Sequence, residues 1–149
     1  MTRGNISRRV VAERVKWVET ILAQIKSLPV QDEEVFFADP RNPLACESCL
    51  RRALEALFDL GRHILAKDFG IGVEEYKEIG PALARQGVIT EEDASRMFRI
   101  LAGYRNRMVH FYHEISNEKI REICADQLTD MENMLEAVRA WLNKRLNIE

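Results

Sequence analysis

Apolar residues recur every three or four positions along most of this chain, and no segment sustains a one-by-one alternation. The first run has Val10, Val11, Val15, Trp17, Val18, Ile21, Leu22 and Ile25 as its apolar positions. That spacing predicts a helix over 7–27, ended by Pro29. Residues 29–42 read as a loop, punctuated by Pro40 and Asn42, with Phe36 and Phe37 anchoring it to the core. Asn42-Pro43 reads as the next helix start, a capping residue followed by proline at the first helical position. Leu50, Leu54, Leu57, Ile64 and Leu65 line one side of this helix, which should stop near Phe69 because Gly70 and Gly72 follow. A shorter helix is expected over 74–86, interrupted at Gly80-Pro81 and closed by Gly87.

Thr90-Glu-Glu-Asp93 resembles a capping box and opens the fourth major segment, which runs through Met97, Leu101, Tyr104 and Met108. Ser116-Asn117 caps the last helix, whose stripe is Ile120, Cys124, Leu128, Met131, Leu135, Val138 and Leu142. The pattern therefore predicts an all-α fold: an antiparallel bundle of four main helices plus a short extra helix, built as a single domain over 1–149.

Composition narrows the class. The chain has 149 residues, 46% hydrophobic and 31% charged, which suits one soluble domain with a substantial core. A net charge of −2 gives no global attraction to nucleic acid, so any such contact must be local. Arg3, Arg8, Arg9, Arg14 and Lys16 make the start basic, and Asp32, Glu33, Glu34 and Asp39 make the next loop acidic. No apolar run approaches the roughly 20 residues of a membrane helix, and the N-terminus lacks a signal-peptide core. A cytoplasmic protein with reduced cysteines is expected. Cys46 and Cys49 form a CxxC, but no second pair or histidine motif completes a zinc site, and no strand precedes it as redox chemistry would need. Both cysteines fall on or beside an apolar stripe and read as small hydrophobes.

The unusual stretch is Tyr104-Arg-Asn-Arg-Met-Val-His-Phe-Tyr112. With Leu101 at the centre of the buried stripe, Tyr104 and Met108 fall near that centre and His110 falls opposite, beside Gly103 and Asn106. Asn106 and His110, four residues apart, share one face. Arg105 lies near the edge of the stripe and needs an acceptor if its charge is buried. On the second helix Asp59 and His63 are also four apart and, with Arg52, lie away from the leucine stripe. They form either a solvated pair of little energetic worth or part of a cleft. Periodicity alone leaves solvated side chains the simpler reading of both places.

Arg105, four intervening residues, His110, one residue and Tyr112 match the motif of the HepT-like toxins, members of the HEPN superfamily of small helical domains. The asparagine directly after the arginine and the late position on a helix agree with that motif. So do the upstream stretches "ALEALFDLGRHILA" and "GIGVEEYKEIGPALARQGVITEED". The resemblance covers roughly residues 7–145. It implies a HEPN-like fold and a ribonuclease toxin of a type VII-like toxin–antitoxin pair, working as a homodimer with no cofactor. It also implies a partner, a minimal nucleotidyltransferase antitoxin that silences the toxin by transferring AMP to Tyr112. His113, directly after the motif, is an extra titratable group.

The implied chemistry needs no metal, because RNA carries its own nucleophile in the 2′-hydroxyl. His110 would act as general acid/base, Arg105 would stabilise charge on the phosphoryl oxygens, and Asn106 would orient His110 or the phosphate. Asp59, His63 and His113 are candidate cleft-lining residues. Two alternatives stay open: a non-catalytic nucleotide- or RNA-binding subunit of a nucleotidyltransferase complex, and a helical interaction domain in which the motif is incidental.

Overall fold

In the computed structural model, residues 8–95 and 116–147 are described. Their regular elements are all helices: α1 (Arg8–Lys26), α2 (Glu33–Ala38), α3 (Arg41–Phe69), α4 (Tyr76–Arg85), the single turn α5 (Glu91–Asp93), α6 (Asn117–Asp126) and α7 (Thr129–Asn147). The fold class is all-α as expected. The segment expected to carry Met97 to Met108 lies outside the described residues.

α1 buries Val11, Val15, Val18, Ile21, Leu22 and Ile25. Trp17, grouped with them in the sequence, is instead 53% exposed. It sits about 100° around the helix from Val18, which turns it off the core side. α1 lies antiparallel against α3: Gln24 reaches Cys49, and Trp17 borders a pocket with Ala56.

The expected loop over 29–42 contains α2. Asp32 caps it by accepting a hydrogen bond from the Val35 N–H at 3.1 Å. Phe36 is fully buried and Phe37 packs edge-on against it, so the anchoring role holds. α3 begins at Arg41, before the expected Asn42-Pro43 start. The preceding Pro40 already has helical φ and ψ, and the Asp39 carboxylate accepts from the Arg41 N–H at 3.0 Å. The Arg41 guanidinium also bonds this carboxylate and, with the backbone bond, holds its pKa down at about 2. Asn42 is not the cap; its side chain donates to the Phe36 carbonyl and ties α2 to α3.

α3 ends at Phe69 as expected, with Gly70 at φ 67°. The Gly70 and Ile71 N–H groups close its last turn onto the Ala66 and Leu65 carbonyls. α4 runs unbroken through Pro81, contrary to the expected interruption. Both Pro81 and Lys77, whose carbonyl loses its partner there, are exposed, so water can satisfy that group. Gly87, at φ 77°, follows the end of α4 as expected.

Thr90 caps α5 by accepting from the Asp93 N–H, and Ser116 caps α6 by accepting from the Lys119 N–H. The expected single last helix is two helices, broken at Gln127–Leu128. Its predicted stripe is nonetheless buried throughout, from Ile120 to Leu142. The break leaves the angular register intact, so periodicity cannot reveal it. Arg121 donates to the Val30 carbonyl and Gln31 to the Ala125 carbonyl, seating α6 on the turn after α1.

The three cysteines are free. Cys46 and Cys124 are buried, and Cys49 is half-buried beside them. Its hydrogen bond with Cys46, followed by burial, pushes the Cys124 thiol up. No group of three or more metal-ligating side chains occurs among the described residues. The burial of these side chains agrees with cysteines used as small packing residues.

Two close fits generate predictions. A Cβ on Gly61 would stand 2.6 Å from Cγ2 of Ile79, so α4 approaches α3 there only because the side chain is missing. Gly61→Ala is expected to cost about 1–3 kcal/mol through overpacking, exceeding the roughly 1 kcal/mol alanine gains as a helix former. A urea midpoint unchanged from wild type would show that Ile79 yields freely. Asp68 is 2% exposed and takes two hydrogen bonds from Arg145, each 3.1 Å. Arg145→Ala is expected to destabilise by about 3–5 kcal/mol, because it strands a buried carboxylate. Lys26→Ala, at the exposed pair with Glu132, should cost about 1 kcal/mol or less. Equal melting shifts for the two variants would refute the distinction.

Candidate functional site

α3 presents two sides. One carries the leucines into the core. The other carries Arg52, Asp59 and His63, and α1 runs along its edge with Glu13, Arg14 and Trp17. Asp59 is exposed and shares a shallow pocket with Glu13, Arg14, Trp17 and Ala56. His63 is half-buried, and its Nε2 is enclosed with no hydrogen-bond partner among the described residues. Burial, then the nearby positive charges of Arg14 and Lys67, push its pKa down. The ring is therefore held neutral, with a nitrogen able to accept a hydrogen bond. Asp59 and His63 share this seam, but no ion pair or hydrogen bond joins them.

Beyond His63 the same helix clamps the next loop. Arg62 donates to the Glu74 carbonyl, and its guanidinium lies over the Tyr76 ring, 4.5 Å from the centroid. Tyr76 in turn packs on Phe58 at 4.9 Å. Arg62 and Tyr76 were not singled out in the sequence; an arginine inside a predicted helix carries no signal of what it will cover. Trp17 was read as part of the core stripe because an indole inside an apolar run fits that pattern.

Arg105, Asn106, His110, Tyr112 and His113 lie outside the described residues, as does the face from Gly103 to His110. No helix among the described residues is long and apolar enough to cross a membrane.

The depressed pKa of His63 has a consequence for stability. The unfolded chain takes up this proton at about pH 6.5, before the folded protein does. Stability from this residue is therefore full above about pH 6.5 and falls as pH drops toward the folded pKa. His63→Gln should flatten that part of the profile in urea melts between about pH 7.5 and pH 5.5. An unchanged slope would mean that His63 protonates equally in both states.

Solved structures share this fold at low sequence identity. The tri-AMPylated Shewanella oneidensis HEPN toxin, in complex with its MNT antitoxin, matches with a TM-score of 0.77 at 20% identity, over 91% of this chain and 99% of its own. YutE, a cytosolic Bacillus subtilis protein of unknown function, matches with a TM-score of 0.76 at 18% identity, over 95% and 94%. A toxin–antitoxin complex with AMP-PNP matches with a TM-score of 0.74 at 19% identity, over 89% and 99%. These likenesses establish a HEPN-type helical fold. No curated protein matches the sequence. The HepT-like family profile, described as ribonuclease HepT-like, matches residues 18–138, so the chain belongs to the HepT-like ribonuclease family.

Proposed function

We propose that this protein is the ribonuclease toxin of a toxin–antitoxin pair, cutting RNA without a metal and acting as a homodimer. The observation that carries the reading is the family match over 18–138, which spans the whole Arg105–Tyr112 motif. The fold shared with an AMPylated HEPN toxin adds support.

The chemistry follows from the residue types. His110 takes the proton of the RNA 2′-hydroxyl, whose oxygen attacks the adjacent phosphorus. The bond from phosphorus to the 5′-oxygen breaks, and a second imidazole, His110 of the other copy, protonates the leaving oxygen. The products are a 2′,3′-cyclic phosphate and a 5′-hydroxyl. Arg105 stabilises the charge gathering on the phosphoryl oxygens, and Asn106 orients the imidazole or the phosphate. The partner is a minimal nucleotidyltransferase that transfers AMP from ATP to Tyr112: the phenolic oxygen, losing its proton, attacks the α-phosphorus and pyrophosphate leaves. The added negative charge and bulk then compete with an RNA phosphate for Arg105 and His110. Asp59, His63 and His113 are candidates to line the cleft.

The test is cleavage of single-stranded RNA by unmodified protein in EDTA, with intact mass confirming the state of Tyr112. Activity should persist in EDTA, disappear with 2′-deoxy substrate, and fall by about 10²–10⁴-fold in His110→Ala. The chain has three histidines, and His63→Gln and His113→Gln test whether either of the other two takes part. EDTA-sensitive cleavage would overturn the metal-free mechanism. Absence of cleavage across a range of RNAs would favour the nucleotide-binding subunit instead. An AMP mass increment lost in Tyr112→Phe would identify the acceptor.

A further inference from the structure

All three cysteines of the chain come together in the fold, although two sit on α3 and the third lies far along the chain on α6. Cys46 and Cys124 are 0% and 2% exposed, in the same core, and their thiols share a hydrogen bond. Cys124 is the donor, so the bond lowers the pKa of Cys46 and raises that of Cys124. Cys49 stands beside them with its thiol 4.0 Å from the Oε1 atom of Gln24 on α1. It is half-buried, and so is the one thiol of the three with appreciable exposure to solvent.

Packing accounts for a small apolar side chain at each position, but not for every thiol of the chain meeting at one place. The three sulfurs do not form a group that could hold a metal ion. A cross-link between two of them is the other chemistry open to clustered thiols, and geometry selects the pair. Cys46 and Cys49 are three apart in an unbroken helix, where Cβ atoms stand about 5–6 Å apart, whereas a disulfide needs about 3.8 Å. Joining them would distort α3. Cys46 and Cys124 lie on different helices and already meet through their sulfurs. We infer that Cys46 and Cys124 are an oxidation site, where a hydroperoxide converts the two thiols into a disulfide that staples α6 to α3. The Cys46 sulfur, losing its proton, attacks one peroxide oxygen. The O–O bond breaks, Cys46 becomes a sulfenic acid, and the other oxygen leaves with that proton as water. The Cys124 sulfur then attacks the Cys46 sulfur, the S–O bond breaks, and the hydroxyl leaves as water with the Cys124 proton. The two thiols give up two electrons and the peroxide takes them. Small thiols reverse the step in a reducing compartment, so the staple forms under oxidative load. It closes a loop of chain that contains Arg105–Tyr112.

The test uses the full chain, reduced, freed of reductant and exposed to hydrogen peroxide under native conditions. Peptide mapping without reductant should find one link within the chain, Cys46–Cys124, with Cys49 still open to alkylation. Dithiothreitol should then restore all three free thiols. The urea midpoint of the oxidised protein should fall when dithiothreitol opens the link, because the disulfide restrains a long loop of the unfolded chain. Cys49→Ala should keep both the link and this shift, whereas Cys46→Ala and Cys124→Ala should each lose both. Mapping of the wild type decides the question by itself if either of those core variants fails to fold. Three thiols persisting at a peroxide excess that oxidises free cysteine would overturn the inference. So would a Cys46–Cys49 link, a link between chains, or Cys46 driven to sulfinic acid with Cys124 still free. A midpoint that dithiothreitol leaves unchanged or raises would refute the staple. RNA cleavage is not among the readouts, so the site stands or falls separately from the ribonuclease reading.

Discussion

The structure depends on how α3 shares out its surface. This helix of 29 residues touches α1, α2, α4, α6 and α7, and at 1.5 Å per residue it is about 43 Å long. Most of the stability of such an amphipathic helix comes from packing its apolar face, so it needs partners along that side. Leu50, Leu54 and Leu57 are fully buried, as are Ile64 and Leu65 about two turns on. Near the far end the constraints change character. Gly61 admits α4 by having no side chain, and Asp68 accepts α7 through a charge. Hydrophobic burial specifies that helices pack here, whereas the glycine and the carboxylate specify which ones and how near.

Much of this was legible in the chain. Helix stops at Phe69-Gly70 and the caps at Thr90 and Ser116 follow from local chemistry that does not wait for tertiary structure. The misreadings have physical causes. Asp39-Pro40 and Asn42-Pro43 are both plausible starts, and Asp39 wins because its carboxylate reaches the Arg41 N–H. Asn42 then becomes free to bond Phe36, a contact defined only once α2 folds back. Pro81 survives inside α4 because water can serve the carbonyl it leaves without a donor. The kink at Gln127 keeps the apolar register and so leaves no trace in periodicity.

The functional site was legible in another way. Arg105, His110 and Tyr112 stand out by residue type and spacing, not by any packing rule. Asp59 and His63 were marked only by a shared helical face, and the structure brings them to the same seam without bonding them together. What no pattern disclosed is that Trp17 lies on that seam too. Core positions accept many apolar residues of similar volume, which is how solved relatives only 18–20% identical keep the fold. Fold and chemistry are therefore recorded in different residues of this chain.

The pair between Asp68 and Arg145 spans 77 positions, and that distance has a bearing on synthesis. At roughly 5–20 residues per second, a ribosome takes about 4–15 s to cover it. Throughout that interval the carboxylate at the end of α3 awaits the guanidinium that will neutralise it, and closing the core around it early would strand its charge. The helices α3 and α7 thus lock together only after Arg145 has been made. A chain abandoned by the ribosome before residue 145 lacks that closure, and quality-control proteases meet it as an open bundle.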